Sequence, residues 1–280
     1  TTYPVYLLAS AVTEGVEGIQ VERLSTGQVS CLHDYILSVD DMKKIQRADV
    51  IAMNGAGLEE FMEDALAVSD AVVIDCSQGG ELLENLEHHH EGEDHDDHDH
   101  GHWDPHYWMD PQRAAQMVGN LVRRLDGADP DNGDAYRDNG QWAFLLLNTW
   151  DANIRDLLTA EGMPEITGLI TFHDGFQYFA QTYGLPLLAA IEEEAGSEAS
   201  AKEINEITAL VKEKNIPVIF TEVNGSDATA NAIARETGCT VAQLSMCMDG
   251  PDGALSNYGD ALKGNVTAII NGFAGEELAK

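Results

Sequence analysis

The sequence is short of positive charge. Its 280 residues carry 15 Lys and Arg against 49 Asp and Glu, a formal charge of -34. Such a surface repels nucleic acid and anionic lipid, and neither is expected as a partner. It attracts cations without choosing among them. A solubility device, or adaptation to salt that screens self-repulsion, accounts for the charge equally well. No apolar run approaches the ~20 residues that a membrane-spanning helix needs. The four cysteines, Cys31, Cys76, Cys239 and Cys247, lack CxxC spacing, and their three complete pairings are equivalent at this level. Gly55, Gly57, Gly79 and Gly80 have no nearby GK[ST], so a phosphate-binding loop is absent. Neither HExxH nor another His-rich hydrolase signature occurs, and no general base is tied to a substrate pocket. No signal peptide precedes the apolar opening "TTYPVYLLASAV"; a trimmed mature chain reads the same way.

Histidine is concentrated instead. Eight of the ten histidines fall in "HHHEGEDHDDHDHGHWDPH", which runs from His88 to His106. From 88 to 102 the chain is wholly His, Asp, Glu and Gly, with no apolar partner to order it, so a disordered loop is expected near 86–102. At Trp103 the character changes. "WDPHYWMDP" holds aromatics and a methionine that can pack and fix His106 in place, which a metal ligand requires. His88, His89, His90, His95, His98, His100 and His102 read as a weak, adaptable metal collector. The same mixture also binds nickel or zinc adventitiously, as an affinity tag does.

The rest of the chain reads as α/β. "DVIAM" and "AVVIDC" are expected as buried strands, and Ser38 with Asp41 forms a capping box ahead of Met42 and Ile45. Residues 57–67 form another short helical pattern, and Pro111 suits the first turn of a helix through "RAAQMVGNLVRRL". "AYRDNGQWAFLLLNTWDANIRDLLTAEG" carries apolar residues at 142, 145, 146, 150, 154, 157 and 158, a seam on one long helix. The second half repeats the pattern: strand "GLITF", helix "ASAKEINEITALVKEKN", strand "IPVIFTE", a helix after Ser226, "TVAQLSM", and a closing helix from Ser256. The parse is an N-terminal α/β lobe over 1–129, a linking helix over 130–159 and a C-terminal α/β lobe over 160–280.

Only His33 and His173 lie outside the rich tract. His173 follows "GLITF" directly and should sit at the C-terminal edge of a sheet, where such folds bind ligands. His33 lies between a strand pattern and the capped helix. Three imidazoles from separate segments, His33, His106 and His173, suit zinc, which accepts neutral nitrogen ligands in a tetrahedral shell. Magnesium and calcium want oxygen, and manganese takes imidazole mainly beside carboxylates. Asp34 and Asp174 follow two of these histidines and suit an outer hydrogen bond or a cap. Asp104 and Asp110 flank His106 beside prolines as turn formers. Glu192 to Glu194 and Glu198 read as solvated loop and helix start.

These blocks carry a family resemblance over essentially the whole chain: "YPVY", "LHDYILSVDDMKKIQRADVIAMNGAGLEEFM", "DPHYWMDP", "TFHDGFQYFAQTYGL", "IFTEVNGS" and "NYGDAL". Their order and spacing resemble the cluster A-I metal-binding proteins of bacterial ABC importers, and the acidic histidine loop resembles the zinc-importing group. The resemblance implies a C-clamp solute-binding protein, two α/β lobes joined by a long helix with the metal in the cleft. It places ligands on His33, His106 and His173. No clear carboxylate is in view for the manganese-type shell. The block where relatives often carry an acidic ligand reads "AQLSMCMDG", with Ser245 about where the acid stands. Glu222, Asp249 and Cys247 are the other choices for a fourth or outer position. Three histidines plus water or Glu222 is the preferred set, and Cys31 paired with Cys247 in a disulfide is an alternative role for that thiol.

The implied function is capture of extracytoplasmic zinc and its delivery to an ABC permease by a monomeric, non-enzymatic protein. Alternatives are a manganese importer component, a zinc-dependent hydrolase and a metal-sequestering adhesin.

Overall fold

The structure, a computed structural model, describes residues 1–24, 35–85, 102–192, 199–223 and 225–279. The chain divides into two compact units. Unit 1 comprises Thr1–Asn148 and Met248–Tyr258, and unit 2 comprises Thr149–Cys247 and Gly259–Lys280. Among the described residues no helix is long and apolar enough to cross a membrane.

Unit 1 opens with helix α1 (Tyr3–Val12), which the apolar opening did not announce as helical. Thr2 accepts the Val5 N–H at its start, and Tyr3, Val5, Leu7 and Leu8 are buried. Helix α2 (Val39–Arg47) begins at the expected capping box: Ser38 receives the Asp41 N–H at 3.1 Å, and Asp41 receives the Ser38 N–H at 3.0 Å. Strands β1 (Val50–Met53) and β2 (Val72–Asp75) are parallel neighbours, with Ile51 opposite Val73. Both strands occupy the expected positions, but only Ile51 and Ile74 are fully buried and Val72 is exposed. The reason is alternation: successive side chains point to opposite faces, and one face lacks a full cover. Between them come a 3₁₀ turn (Glu60–Met62) and the short helix α3 (Glu63–Ala67). Leu24, Ile45, Ile51, Met62 and Ala65 form one core cluster of this unit.

Helix α4 (Pro111–Ala128) starts at Pro111, with Asp110 as its cap, and a 3₁₀ turn at Pro130–Asn132 leads into α5 (Gly133–Thr159). The expected seam of α5 is borne out in part. Ile154 is buried and Leu146, Trp150, Leu157 and Leu158 are half-buried, but Trp142 and Leu145 are exposed, while Tyr136, Ala143 and Leu147 are buried instead. The buried stripe advances by three or four residues through Tyr136, Gly140, Ala143, Leu147, Asp151 and Ile154, as one helix face must. Apolar residues on α5 occupy more than one face, so their positions marked the packed side correctly toward the C-terminal half and missed it near Trp142 and Leu145. Gly140 belongs to the true stripe because a Cβ there would stand 2.5 Å from Val122 on α4. The glycine permits the close approach of two helices.

Helix α5 carries the chain from unit 1 into unit 2, so two α/β units are joined through a long helix. Unit 2 is built on a four-stranded parallel sheet in the order β4-β3-β5-β6, with β3 (Leu169–His173), β4 (Leu187–Glu192), β5 (Val218–Glu222) and β6 (Thr240–Leu244). The two central strands are buried at every residue, as expected of parallel strands covered on both faces. Helices α6 (Gln177–Tyr183), α7 (Ala201–Lys214), α8 (Ala228–Thr237) and α9 (Ser256–Ala274) complete the chain. Ile170, Phe172, Ile207, Val211, Ile219 and Ile233 form the core between strands and helices.

Strand β4 was not anticipated. Its run "LLAAIE" ends in the acidic stretch read as solvated loop, and Glu192 is the last residue of the strand, opposite His173. Glu193, Glu194 and Glu198 lie outside the described residues.

The capping box is the feature most directly dictated by sequence. Ser38→Ala should lower stability by about 1 kcal/mol and Ser38→Gly by only a few tenths, read from urea denaturation midpoints.

Candidate metal centre

In unit 1, "WDPHYWMDP" is fixed by its backbone and by its acids. Trp103 bridges Glu84 in antiparallel fashion, Asn85 N–H donates to His102 O at 3.1 Å, and Asp104 N–H donates to Leu83 O at 2.9 Å. The histidine tract is thus closed at its base by a short ladder. Two residues on, His106 precedes a 3₁₀ turn at Tyr107–Met109 and is only 6% exposed. Asp104 Oδ1 accepts both the His106 backbone N–H at 2.9 Å and the ring Nδ1 at 2.8 Å. A carboxylate accepting this bond puts a proton on Nδ1, and in the neutral ring the lone pair then falls on Nε2. That is the tautomer a metal ligand needs, held by the partner usual for metal-binding histidines. The buried Trp108 ring meets the imidazole edge-on at 5.2 Å, and Tyr258 donates its hydroxyl to Trp108 O at 2.6 Å. Asp110 receives the Gln112 N–H at 2.8 Å and so starts α4.

Asp104 therefore does more than shape a turn. Sequence reasoning weighed the acids immediately after His33 and His173 as outer partners and passed over the acid two residues before His106. The D-P-H spacing was the available signal: a carboxylate at the head of a tight turn can bend back onto the residue two places later.

In unit 2, His173 ends β3 and is 2% exposed. Thr171 pairs with Phe220 across β3 and β5. Two residues further on, β3 ends at His173 and β5 at Glu222. Glu222 is also buried. The carboxylate preferred from sequence to accompany three histidines thus ends the strand that neighbours β3. Gly175 closes over the imidazole: a Cβ there would lie 2.8 Å from His173 Cδ2 and 2.2 Å from Met246 Cε. Close packing of this kind confines the ring.

The remaining sequence choices are otherwise engaged. Ser245 exchanges both backbone groups with Asn265, at 2.7 and 2.8 Å, and its Oγ accepts the Cys247 N–H at 3.1 Å. Cys247 is buried and free, so it is not bridged to Cys31. Burial pushes its thiol up to about 12, and at neutral pH it is no ready thiolate. In unit 1, Asp249 pairs with Arg23 at 3.4 Å. His102 is exposed, 3.7 Å from Glu84 and edge-on to Trp103. His33, Cys31, Asp34, the loop at 86–101 and its His88, His89, His90, His95, His98 and His100 lie outside the described residues. Among the described residues no three His, Cys, Asp or Glu side chains gather into a set able to hold a metal ion.

Comparison with known proteins places these features in a family setting. The chain matches the family model for zinc-uptake complex component A, periplasmic, over residues 1–272. It is 31% identical over 265 residues to zinc-binding protein AdcA of Streptococcus pyogenes, an alignment covering 88% of this chain and 49% of that protein. The chain thus spans about half the length of that relative. It is 29% identical over 277 residues to high-affinity zinc uptake system protein ZnuA of Bacillus subtilis, covering 96% of this chain and 85% of that one. In fold it is similar to the solute-binding protein FpvC of Pseudomonas aeruginosa, solved in complex with Mn2+. The TM-score is 0.82 at 23% identity, over 98% of this chain and 96% of that chain.

The Asp104 contact makes a prediction that needs no metal. In the metal-free protein, ¹⁵N NMR of His106 should show a single Nδ1-protonated tautomer at neutral pH, and Asp104→Ala should convert it to a mixture. A mixture already present in the parent protein would contradict the assignment.

Proposed function

The chain belongs to the zinc-uptake complex component A family, and on that premise we propose that it captures zinc outside the cytoplasm and delivers it to an ABC-type permease. His33, His106 and His173 hold the ion, and Glu222 or a water completes the shell. The observation that carries the reading is the chemistry around His106: a buried imidazole whose Nδ1 is committed to a carboxylate, leaving Nε2 as donor. His173, equally buried at the end of a central strand, supports it from unit 2. Neutral imidazoles are the ligands zinc prefers in a closed four-coordinate shell. Zinc is the cargo here and undergoes no chemistry, so the protein needs neither a nucleophile nor a general base. It acts as a monomer, retained at the cell surface or in the periplasm.

The histidine tract serves as a collector. Its mixed imidazoles and carboxylates bind dications weakly and raise their concentration close to Trp103–His106, beside the short ladder at Glu84 and Trp103. Manganese is the second reading, favoured by one observation. A buried carboxylate, Glu222, ends the strand beside the one that His173 ends, and manganese accepts imidazole beside carboxylate. Three imidazoles against one carboxylate put zinc first.

Zinc titration of the full chain against a competing chelator should show one tight site and several weak ones. His33→Ala, His106→Ala and His173→Ala should each weaken the tight site by more than the ~10–100-fold typical of an outer partner. Deleting 88–102 should abolish only the weak sites. Loss of the tight site on that deletion, or tighter binding of manganese than zinc, would overturn the proposal.

A further inference from the structure

Asn54 grips the chain on both sides of His106. It follows β1 directly and is fully buried. Its Nδ2 donates to the Pro105 carbonyl at 3.0 Å and to the Gly55 carbonyl at 3.1 Å, and its own backbone carbonyl accepts the Tyr107 hydroxyl. Pro105 and Tyr107 are the two chain neighbours of His106. Because both side-chain partners are carbonyls, the amide has only one sensible orientation, nitrogen toward them. Among the described residues the amide oxygen is buried with no hydrogen-bond partner. Asn54 is itself fixed by Glu59, whose carboxylate accepts the Asn54 N–H at 2.7 Å and the Gly55 N–H at 2.9 Å.

We propose that Asn54 is a positioning residue for the zinc ligand His106, setting where the imidazole sits while Asp104 sets how the ring is turned. The proposal rests on the reading of His106 as a ligand. The two tasks are separable. Asp104 lies on the same loop as His106 and moves with it, so its bond to Nδ1 fixes the ring only relative to that loop. Asn54, 52 positions earlier, ties the loop to the end of a strand, and loop-borne sites need such anchoring to hold their geometry. The residue type follows from the contacts. Aspartate would turn an oxygen toward the Pro105 carbonyl, and leucine would leave that buried carbonyl without a donor. Only a side-chain amide of this length offers two N–H donors here.

The test uses Asn54→Asp, Asn54→Ala and Tyr107→Phe in the full chain. The readouts are zinc affinity by chelator competition and the ¹⁵N signature of the His106 ring in zinc-free protein. Both Asn54 variants should weaken the tight site about tenfold or more, within the range of outer-partner losses. The ring should keep its Nδ1-protonated tautomer, because Asp104 travels with the loop, while its ¹⁵N chemical shifts should move as the loop drifts from its anchor. Tyr107→Phe removes one grip without changing volume and should give a smaller loss in the same direction. Combined with Asn54→Asp it should add less than its separate effect, since the two act through one contact group. Unchanged affinity and an unchanged ring signature in cooperatively folded Asn54 variants would overturn the proposal. If those variants fail to fold, an unchanged affinity and ring signature in Tyr107→Phe overturns it instead. Should His106→Ala retain parental zinc affinity, the ligand reading fails, while the ring signature of Asn54→Asp still decides whether Asn54 positions the imidazole.

Discussion

The bond between His106 Nδ1 and the Asp104 carboxylate, buried at 2.8 Å, is the constraint on which the site depends. An imidazole has two nitrogens, and only one can present a lone pair at a time. Committing Nδ1 to a carboxylate settles which, and burial keeps water from competing for the bond. Everything around it serves to keep that pair in place. A short ladder ends at Asp104, a 3₁₀ turn follows His106, Trp108 closes one side, and Asp110 starts α4 immediately afterwards. A nine-residue segment rich in aromatics thus holds an imidazole that the acidic tract beside it has no apolar residues to hold.

Unit 2 solves the same problem differently. His173 needs no local turn because it ends a strand buried along its whole length, and backbone pairing on both sides sets its position. Gly175 and Met246 then confine the ring. The neighbouring strand β5 ends at the buried Glu222, whereas His106 takes its acidic partner from its own loop. A loop-borne ligand needs hydrogen bonds, whereas a strand-borne one is largely placed by the sheet.

Much of this was legible from residues. The capping box at Ser38 and Asp41, Pro111 at the head of α4, strands ending at His173 and Glu222, and the length of α5 all follow from local pattern, and local pattern governs them physically. The misses share a cause: they depend on what packs where. Apolar residues on several sides of α5 hid part of the true stripe, which Gly140 marks through its contact with Val122. The edge strand β4 ends in an acidic run and so resembled loop. Asp104 was visible as a turn former, but its second role requires knowing that the turn bends the carboxylate back onto the ring. Asn54 gave no local signal of its hold on the His106 loop, since Pro105 and Tyr107 stand about fifty residues away.

The central claim is that three imidazoles from distant segments share one zinc ion. The most direct measurement is an anomalous difference map at the zinc edge, from crystals of the full chain grown with one equivalent of zinc. The account predicts one dominant ordered peak with nitrogens of His33, His106 and His173 at ~2.0–2.1 Å, His106 bonding through Nε2. A peak that lacks any of these three histidines, or one held by the Cys247 sulfur, would contradict it.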